Sequence, residues 1–360
     1  MKHGIVSRAT EGFFRYQAWP SVCMDEEDTL YVACSGHRIA HVGPFGKDLM
    51  FVSRDGGESW SAPQIVNDTY LDDRDAGIVN LGDGKLLVSW FNLPPEFYWN
   101  NEEAFTKGAH PSLMKAMYDQ WRAMPREALK SGSFVRLSKD SGKSWSAAVS
   151  VPVTAPHGPI QCKNGKLLYI GKAFDKDEYK DAMPIQVWES ADDGMTWSYL
   201  SDIATPEGVQ NANFHEPHMV ELPSGRLLGA IRAQGANVAN GFTIYLCHSD
   251  DGGKTWSIPR STDYSGSPPH LLLHSSGAVI MTYGRRQSPI YGQRVRISYD
   301  GGETWSEETE LTNHVPCDHG YPATVELKDG SLLTVYYQRY GDDPYCSILY
   351  TKWELSEAKK

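Results

Sequence analysis

Long apolar runs are missing. No stretch of the 360 residues approaches the roughly 18–20 apolar residues that a membrane-spanning helix needs, and the N-terminal MKHGIVSRATEGFF carries no apolar signal-peptide core. The expectation is a soluble chain, cytoplasmic as written or secreted if a leader has been removed. Cysteine is sparse: Cys23, Cys34, Cys162, Cys247, Cys317 and Cys346 stand singly, without a C-x-x-C pair or metal-ligand spacing, which points to free thiols rather than a disulfide framework or a structural metal. Positive charge is in deficit. A net charge of −11 argues against a nucleic-acid partner, which needs a basic footprint. No G-x-G-x-x-G opens a helix, so a dinucleotide-binding fold is not expected, and no motif calls for a cofactor. Nothing in the composition bears on oligomeric state.

What is present is repetition. SRDGGESW at 53–60 recurs as SKDSGKSW at 138–145, SADDGMTW at 190–197, SDDGGKTW at 249–256 and SYDGGETW at 298–305. In such an octapeptide the Asp accepts backbone N–H groups within a turn, Gly takes a backbone angle closed to other residues, and Trp fills apolar space between neighbouring sheets. The pattern reads as a structural staple rather than a catalytic motif.

A second repeat is an apolar strand, a tight turn and another apolar strand. It appears six times: SVCMDEEDTLYVAC, IVNLGDGKLLVSW, IQCKNGKLLYIG, MVELPSGRLLGAI, LLLHSSGAVIMTY and TVELKDGSLLTVYY. Asp-Gly, Asn-Gly or Ser-Gly at most of the turns supplies the positive φ of a hairpin. A further strand leads from each of the first five hairpins into an octapeptide. Four antiparallel strands recurring every 50–60 residues or so predict an all-β fold, a six-bladed β-propeller occupying 1–360 as a single domain. The last unit, YCSILYTKWEL, has no octapeptide, as expected where a ring closes.

One interval breaks the period. Residues 94–132, PPEFYWNNEEAFTKGAHPSLMKAMYDQWRAMPREALKSG, separate the first two octapeptides. The latter half has helical apolar spacing interrupted by Pro125, and predicts an inserted helical flap on blade 2. A surface packing helix with no role at a site fits the same pattern.

Hairpin geometry locates the chemistry. Aligning the turns at Asp28, Gly84, Gly165, Gly225, Gly277 and Gly330 puts Trp19, Asp75, Pro156, Glu216, Pro268 and Tyr321 in one column nine residues upstream. Neighbouring columns add Arg74, His157, His215, His218, His270, Asp318 and His319, and the returning strands add Arg38, Lys172, Arg232, Arg285 and Arg286. An acidic chain thus collects its arginines at one mouth. Several guanidinium forks suit a carboxylate, and Glu216 meeting Tyr321 near the axis can take the phenol proton and make Tyr321 a nucleophile. A neutral phenol approaches an anomeric centre bearing a carboxylate without charge repulsion. Asp75 is then the candidate proton donor. Arg232, Arg285, Arg38, Arg74, His157, His218, His270 and Trp19 are the candidate substrate-binding residues. The histidines are numerous enough for a metal, but no spacing specifies one.

At these residues the chain resembles the sialidase (neuraminidase) superfamily of Asp-box (BNR) propellers, from about residue 13 to 354. HEPHMVELPSGRLLGAIR resembles that family's strand pair carrying the glutamate partner of the tyrosine and the second arginine of its triad, which maps onto Glu216 and Arg232. HGYPATVELKDGSLLTVYY resembles the strand of the nucleophilic tyrosine, here Tyr321, and YGRRQSPIYGQRVRISYDGGETW the region of the third arginine, with Arg285 the first choice and Arg286 or Arg294 the others. Two departures stand out. The family's Arg-Ile-Pro stretch is replaced by YQAWPSV, with Ala18 at the arginine position and Arg15, Arg38 or Arg74 as substitutes; where the family has its acid/base aspartate, GHRIAHVGPFGKD offers His37, His41 and Asp48.

The resemblance implies an exo-glycosidase acting on a terminal acidic sugar of a glycan, a sialic or related nonulosonic acid, with retention. Two other readings stay open: a propeller hydrolase or lyase for another acidic sugar such as a uronic acid, using an Asp or His at the same mouth, and a glycan-binding propeller without catalysis. Each residue also has a purely structural reading, as an inter-blade ion pair for the arginines or tunnel packing for Tyr321 and the histidines.

Overall fold

The computed structural model describes residues 1–107, 110–173, 183–313 and 318–359. Their strands form six four-stranded antiparallel sheets. The first five run inward to outward in chain order, from Tyr16–Met24 through Gln64–Asn67 in blade 1 to Pro269–Leu273 through Thr309–Glu310 in blade 5. Blade 6 takes Gly320–Glu326, Leu332–Arg339 and Cys346–Trp353 from the end of the chain and its outermost strand, Lys2–Ser7, from the beginning. The ring is therefore closed by hydrogen bonds between the two ends, with Lys2 opposite Lys352 and Gly4 opposite Tyr350. A Cβ at Gly4 would come within 2.3 Å of the Tyr350 ring, so the closing strand needs glycine there. The family resemblance began near residue 13, and the strand repeats read from the sequence did not include this strand.

Alternating apolar residues on neighbouring blades make the core. Val22, Val32 and Phe51 of blade 1, for example, pack with Leu333, Val335 and Ile348 of blade 6, and burial of such side chains contributes about 25 cal/mol per Å². Each octapeptide folds as the sequence predicted. Asp55 accepts the Ser59 N–H at 2.9 Å and the Ser53 hydroxyl at 2.7 Å, while Trp60 Nε1 donates to Gly57 O at 3.1 Å. The Ser59 hydroxyl bond, with the backbone bond behind it, holds the Asp55 carboxyl down at about 2. Trp60, Trp145, Trp197, Trp256 and Trp305 each cap an inter-blade cluster. The third strands of the first five blades end at Ser53, Ser138, Ser190, Ser249 and Ser298; in blade 6 the corresponding residue is Trp353, which is buried in the cluster between blades 5 and 6.

The register fixes the two faces. Ser53 lies opposite Leu30 and Ser249 opposite Leu227, at the beginning of each second strand. The octapeptides thus share an end with the first hairpin turns, and the starts of the inner strands lie at the other end. Between Lys85–Asn92 and Gly132–Ser138 of blade 2, the insertion forms helices Pro95–Trp99, Glu102–Thr106 and Pro111–Ala123. The last ends two residues before Pro125. Tyr98, Met114, Tyr118 and Trp121 build a local core with Ile39, Leu71 and Phe91. Among the described residues no helix is long and apolar enough to cross a membrane. Cys23, Cys34, Cys162, Cys247 and Cys346 are free thiols, and Cys317 lies outside the described residues.

Candidate active site

Trp19, Asp75, Glu216 and Tyr321 have φ of 53°, 54°, 42° and 51°. These are left-handed values that side chains other than glycine adopt at a cost of about 1–3 kcal/mol. At each of them the pairing of inner and second strand slips: between Ala18 and Ser21, Arg74 and Gly77, His215 and His218, and Gly320 and Ala323. Such bulges re-aim a side chain. In blades 3 and 5 the same column holds Pro156 and Pro268, whose rings restrict φ to negative values. Four blades thus turn one side chain each toward a common cavity.

That cavity has a volume of about 290 Å³ and is lined by Trp19, His41, Val42, Arg74, Asp75, Phe91, Leu93, Phe97, Glu216, Arg232, Arg286 and Tyr321. At one wall the Tyr321 hydroxyl donates to Glu216 Oε1 at 2.7 Å and accepts from Arg232 Nη1 at 3.0 Å. Burial, reinforced by the Glu216 charge, pushes the Tyr321 phenol well above its usual range. Burial also works to raise Glu216, but the Arg232 charge and the hydrogen bonds from Tyr321 and Arg232 outweigh it and leave the carboxyl below its ordinary value. The resting pair is therefore a neutral phenol hydrogen-bonded to an ionised carboxylate.

Asp75 also lines the cavity, almost entirely enclosed, and its Oδ1 has no hydrogen-bond partner. Burial, opposed by Arg74 and aided by Glu216, lifts its carboxyl to about 7. Arg74 lies 4.2 Å from the Trp19 ring centroid and reaches Asp72 only at 3.4 Å. Arg286 reaches Asp318 at 3.3 Å and the Tyr337 hydroxyl at 3.5 Å. Both guanidiniums are loosely held by protein partners, and with Arg232 they make three cationic forks on one wall system.

Several residues read from the sequence as mouth residues lie elsewhere. Arg38 is fully buried behind Trp19, donating from Nη2 to Asp72 at 2.8 Å and lying 4.7 Å from the indole centroid; its side chain was long enough to fold back onto a buried aspartate. Arg285 turns to Glu308 at 2.8 Å, because strand alternation sends it and Arg286 to opposite sides. His157, His218 and His270 pack together with ring centroids 4.4–5.5 Å apart, buried outside the cavity lining. Desolvation keeps them neutral, with His218 at about 3. Among the described residues no group of three His, Cys, Asp or Glu is arranged to hold a metal ion. Arg15 pairs with Asp343 at 2.8 Å, away from the cavity lining. The structure adds Val42, Phe91, Leu93 and Phe97, apolar residues that no polar motif marked; Phe97 comes from the insertion, which thus forms part of the wall.

Comparison with known proteins agrees with this architecture. Residues 160–342, just over half of the chain, match a BNR repeat-like domain, and residues 51–62 match a BNR/Asp-box repeat. The chain belongs to the BNR repeat-like family. A curated sialidase of Paraclostridium sordellii is 23% identical to this BNR propeller over 194 residues, 47% of each chain, so the match spans about half the length of that relative. Among solved structures, a Dyadobacter fermentans protein of unknown function is 22% identical with a TM-score of 0.78, covering 98% of this chain and 97% of that one. The NanB sialidase of Streptococcus pneumoniae is 13% identical with a TM-score of 0.72, covering 98% and 71%. The BNR ring is thus the propeller type on which sialidases are built.

Proposed function

We propose that this BNR propeller is an exo-glycosidase that releases a terminal acidic sugar, a sialic or related nonulosonic acid, from glycans, with retention through Tyr321. The observation that carries the reading is the Tyr321 hydroxyl donating at 2.7 Å to an ionised Glu216 in a cavity that also holds Arg74, Arg232 and Arg286. The likeness to sialidases supports it. The three guanidiniums hold the sugar carboxylate, with Arg74 taking the place left by Ala18, and Trp19 braces Arg74 from one face. Tyr321 attacks the anomeric carbon as Glu216 takes its proton, and Arg232, bonded to both, balances the charge as it moves from carboxylate to phenolate. Asp75, still protonated near neutral pH, gives its proton to the glycosidic oxygen. The cavity is of the order of one monosaccharide, which favours cleavage at a chain end.

The test is turnover of aryl α-glycosides of sialic acids and uronic acids by the wild type and by Tyr321→Phe. The reading expects hydrolysis of a nonulosonic acid glycoside with retained configuration, abolished in the variant at unchanged melting temperature. Hydrolysis of uronic acid glycosides alone, or a Tyr321→Phe variant with near-wild-type turnover, would overturn it.

A further inference from the structure

The insertion sends two neighbouring side chains to different places. On helix Pro95–Trp99, Phe97 lines the cavity, whereas Tyr98 is fully buried and its hydroxyl donates to Asp72 Oδ2 at 2.7 Å. Asp72 is itself fully enclosed. Arg38 grips it as a fork, with Nη1 on Oδ1 and Nη2 on Oδ2 at 2.8 Å. A carboxylate oxygen offers two lone pairs, and on Oδ2 the bonds from Arg38 and Tyr98 take both. The backbone of Gly46 closes over the other oxygen, since a Cβ there would lie 2.2 Å from Asp72 Oδ1 and 2.3 Å from Arg38 Nη1. Arg74 is left outside this grip. Its Nη1 stands 3.4 Å from Oδ2, longer than the roughly 2.7–2.9 Å of a strong charge-assisted bond, and its buried Nε has no partner among the described residues. Burial works against the Arg74 charge, but the charges around it, Asp72 foremost, leave the guanidinium above its ordinary range. Asp72 thus keeps the cation nearby without pairing tightly with it.

Resting on the reading above, we infer that Tyr98 is a positioning residue: by occupying Asp72 it stops Arg74 from closing on that carboxylate and leaves the guanidinium free for the carboxylate of the sugar. The insertion therefore serves carboxylate recognition, beyond its packing. Without the Tyr98 hydroxyl a lone pair of Oδ2 opens toward Arg74. A movement of about 0.5 Å then completes an ion pair of ordinary length. Such a buried pair competes with the substrate, whose carboxylate must break it before it can bind. Phe97 and Tyr98 thus act on the cavity from one helix, the first as wall and the second through Asp72 and Arg74.

The experiment compares two competitive inhibitors, the acidic sugar whose aryl glycoside the wild type hydrolyses and the methyl ester of that sugar. Tyr98→Phe keeps the ring that packs on Phe105 and Trp121 and removes only the hydroxyl. Thermal melts fix a temperature at which every variant is folded. The wild type is expected to bind the acid more tightly than the ester. In Tyr98→Phe the acid should bind about tenfold more weakly, as loss of one hydrogen bond to a charged group does, while the ester binds as before. In an Arg74→Ala background, where recognition of the acid is already lost, adding Tyr98→Phe should change neither constant, because Tyr98 acts through Arg74. An unchanged acid constant in Tyr98→Phe, equal weakening of acid and ester, or a further loss in the Arg74→Ala background would each overturn the assignment. Equal weakening is what a purely structural Tyr98 gives. Those results leave the proposed function standing if the wild type prefers the acid and Tyr321→Phe is inactive. A wild type inhibited equally by acid and ester overturns the function and this inference together.

Discussion

Arg232 and Tyr321 share a hydrogen bond: the guanidinium Nη1 that lies 2.5 Å from Glu216 Oε2 also donates to the Tyr321 hydroxyl at 3.0 Å. The proposed nucleophile, its proposed base and a cation thus form one hydrogen-bonded unit, and on that reading their losses should not add. Tyr321→Phe and Glu216→Gln are each expected to lower kcat strongly, and the double variant to be little worse than the more damaged single one. A double-mutant cycle on kcat/KM, with thermal melts alongside, checks this; additive losses with lowered melting temperatures would mean separate structural roles.

Arg285 and Arg286 are adjacent in sequence but point to different surroundings. Removing Arg286, on the cavity wall, should cost about 2–5 kcal/mol in kcat/KM, as loss of a buried charge partner does. Removing Arg285, bonded to Glu308, should change kcat/KM less than about threefold on the order of ordinary surface substitutions and act instead on stability. Steady-state kinetics of the two alanine variants on one substrate decides the matter; equal losses would put both guanidiniums on the substrate.

Asp75 titrates at about 7 because burial disfavours its charged form. As a proton donor it works when protonated, so kcat/KM should fall as pH rises through about 7. In Asp75→Asn this basic limb should vanish along with most activity on glycosides of poor leaving groups. A pH profile of kcat/KM for both proteins tests it, and persistence of the limb in the variant would assign it to another group.

Asp48 is fully buried and neither carboxyl oxygen has a hydrogen-bond partner. Burial first, then the charges of Asp73 and Asp72, push its carboxyl well above 3.8. The folded state therefore holds a proton that the unfolded chain releases above its own lower pKa, and stability falls as pH rises from 3.8 toward the folded value. Asp48→Asn should remove that decline, raising Tm at pH 7 more than at pH 4. Melting curves at the two pH values check the sign; an equal shift at both would show that charge is not the cause.

The sequence by itself determined the blade. Five octapeptides and six hairpins specify strand, turn and staple locally, since Asp, Gly and Trp each satisfy a need within a few residues. Counting back from the hairpin turns also found the column of Trp19, Asp75, Glu216 and Tyr321, because in these four blades the bulge recurs at one place, nine residues before the turn. Only the tertiary structure decided what depends on partners distant in the chain. Lys2–Ser7 becomes an outer strand because the last blade lacks one. Arg38 leaves the mouth because Asp72, 34 positions away, holds it, and Phe97 enters the wall because the insertion folds back over blade 2. His41 acquires its orientation from Asp318, 277 positions further on. Periodicity records contacts between neighbours in sequence, whereas the direction of a long side chain is set by whichever charge the closed ring brings within its reach.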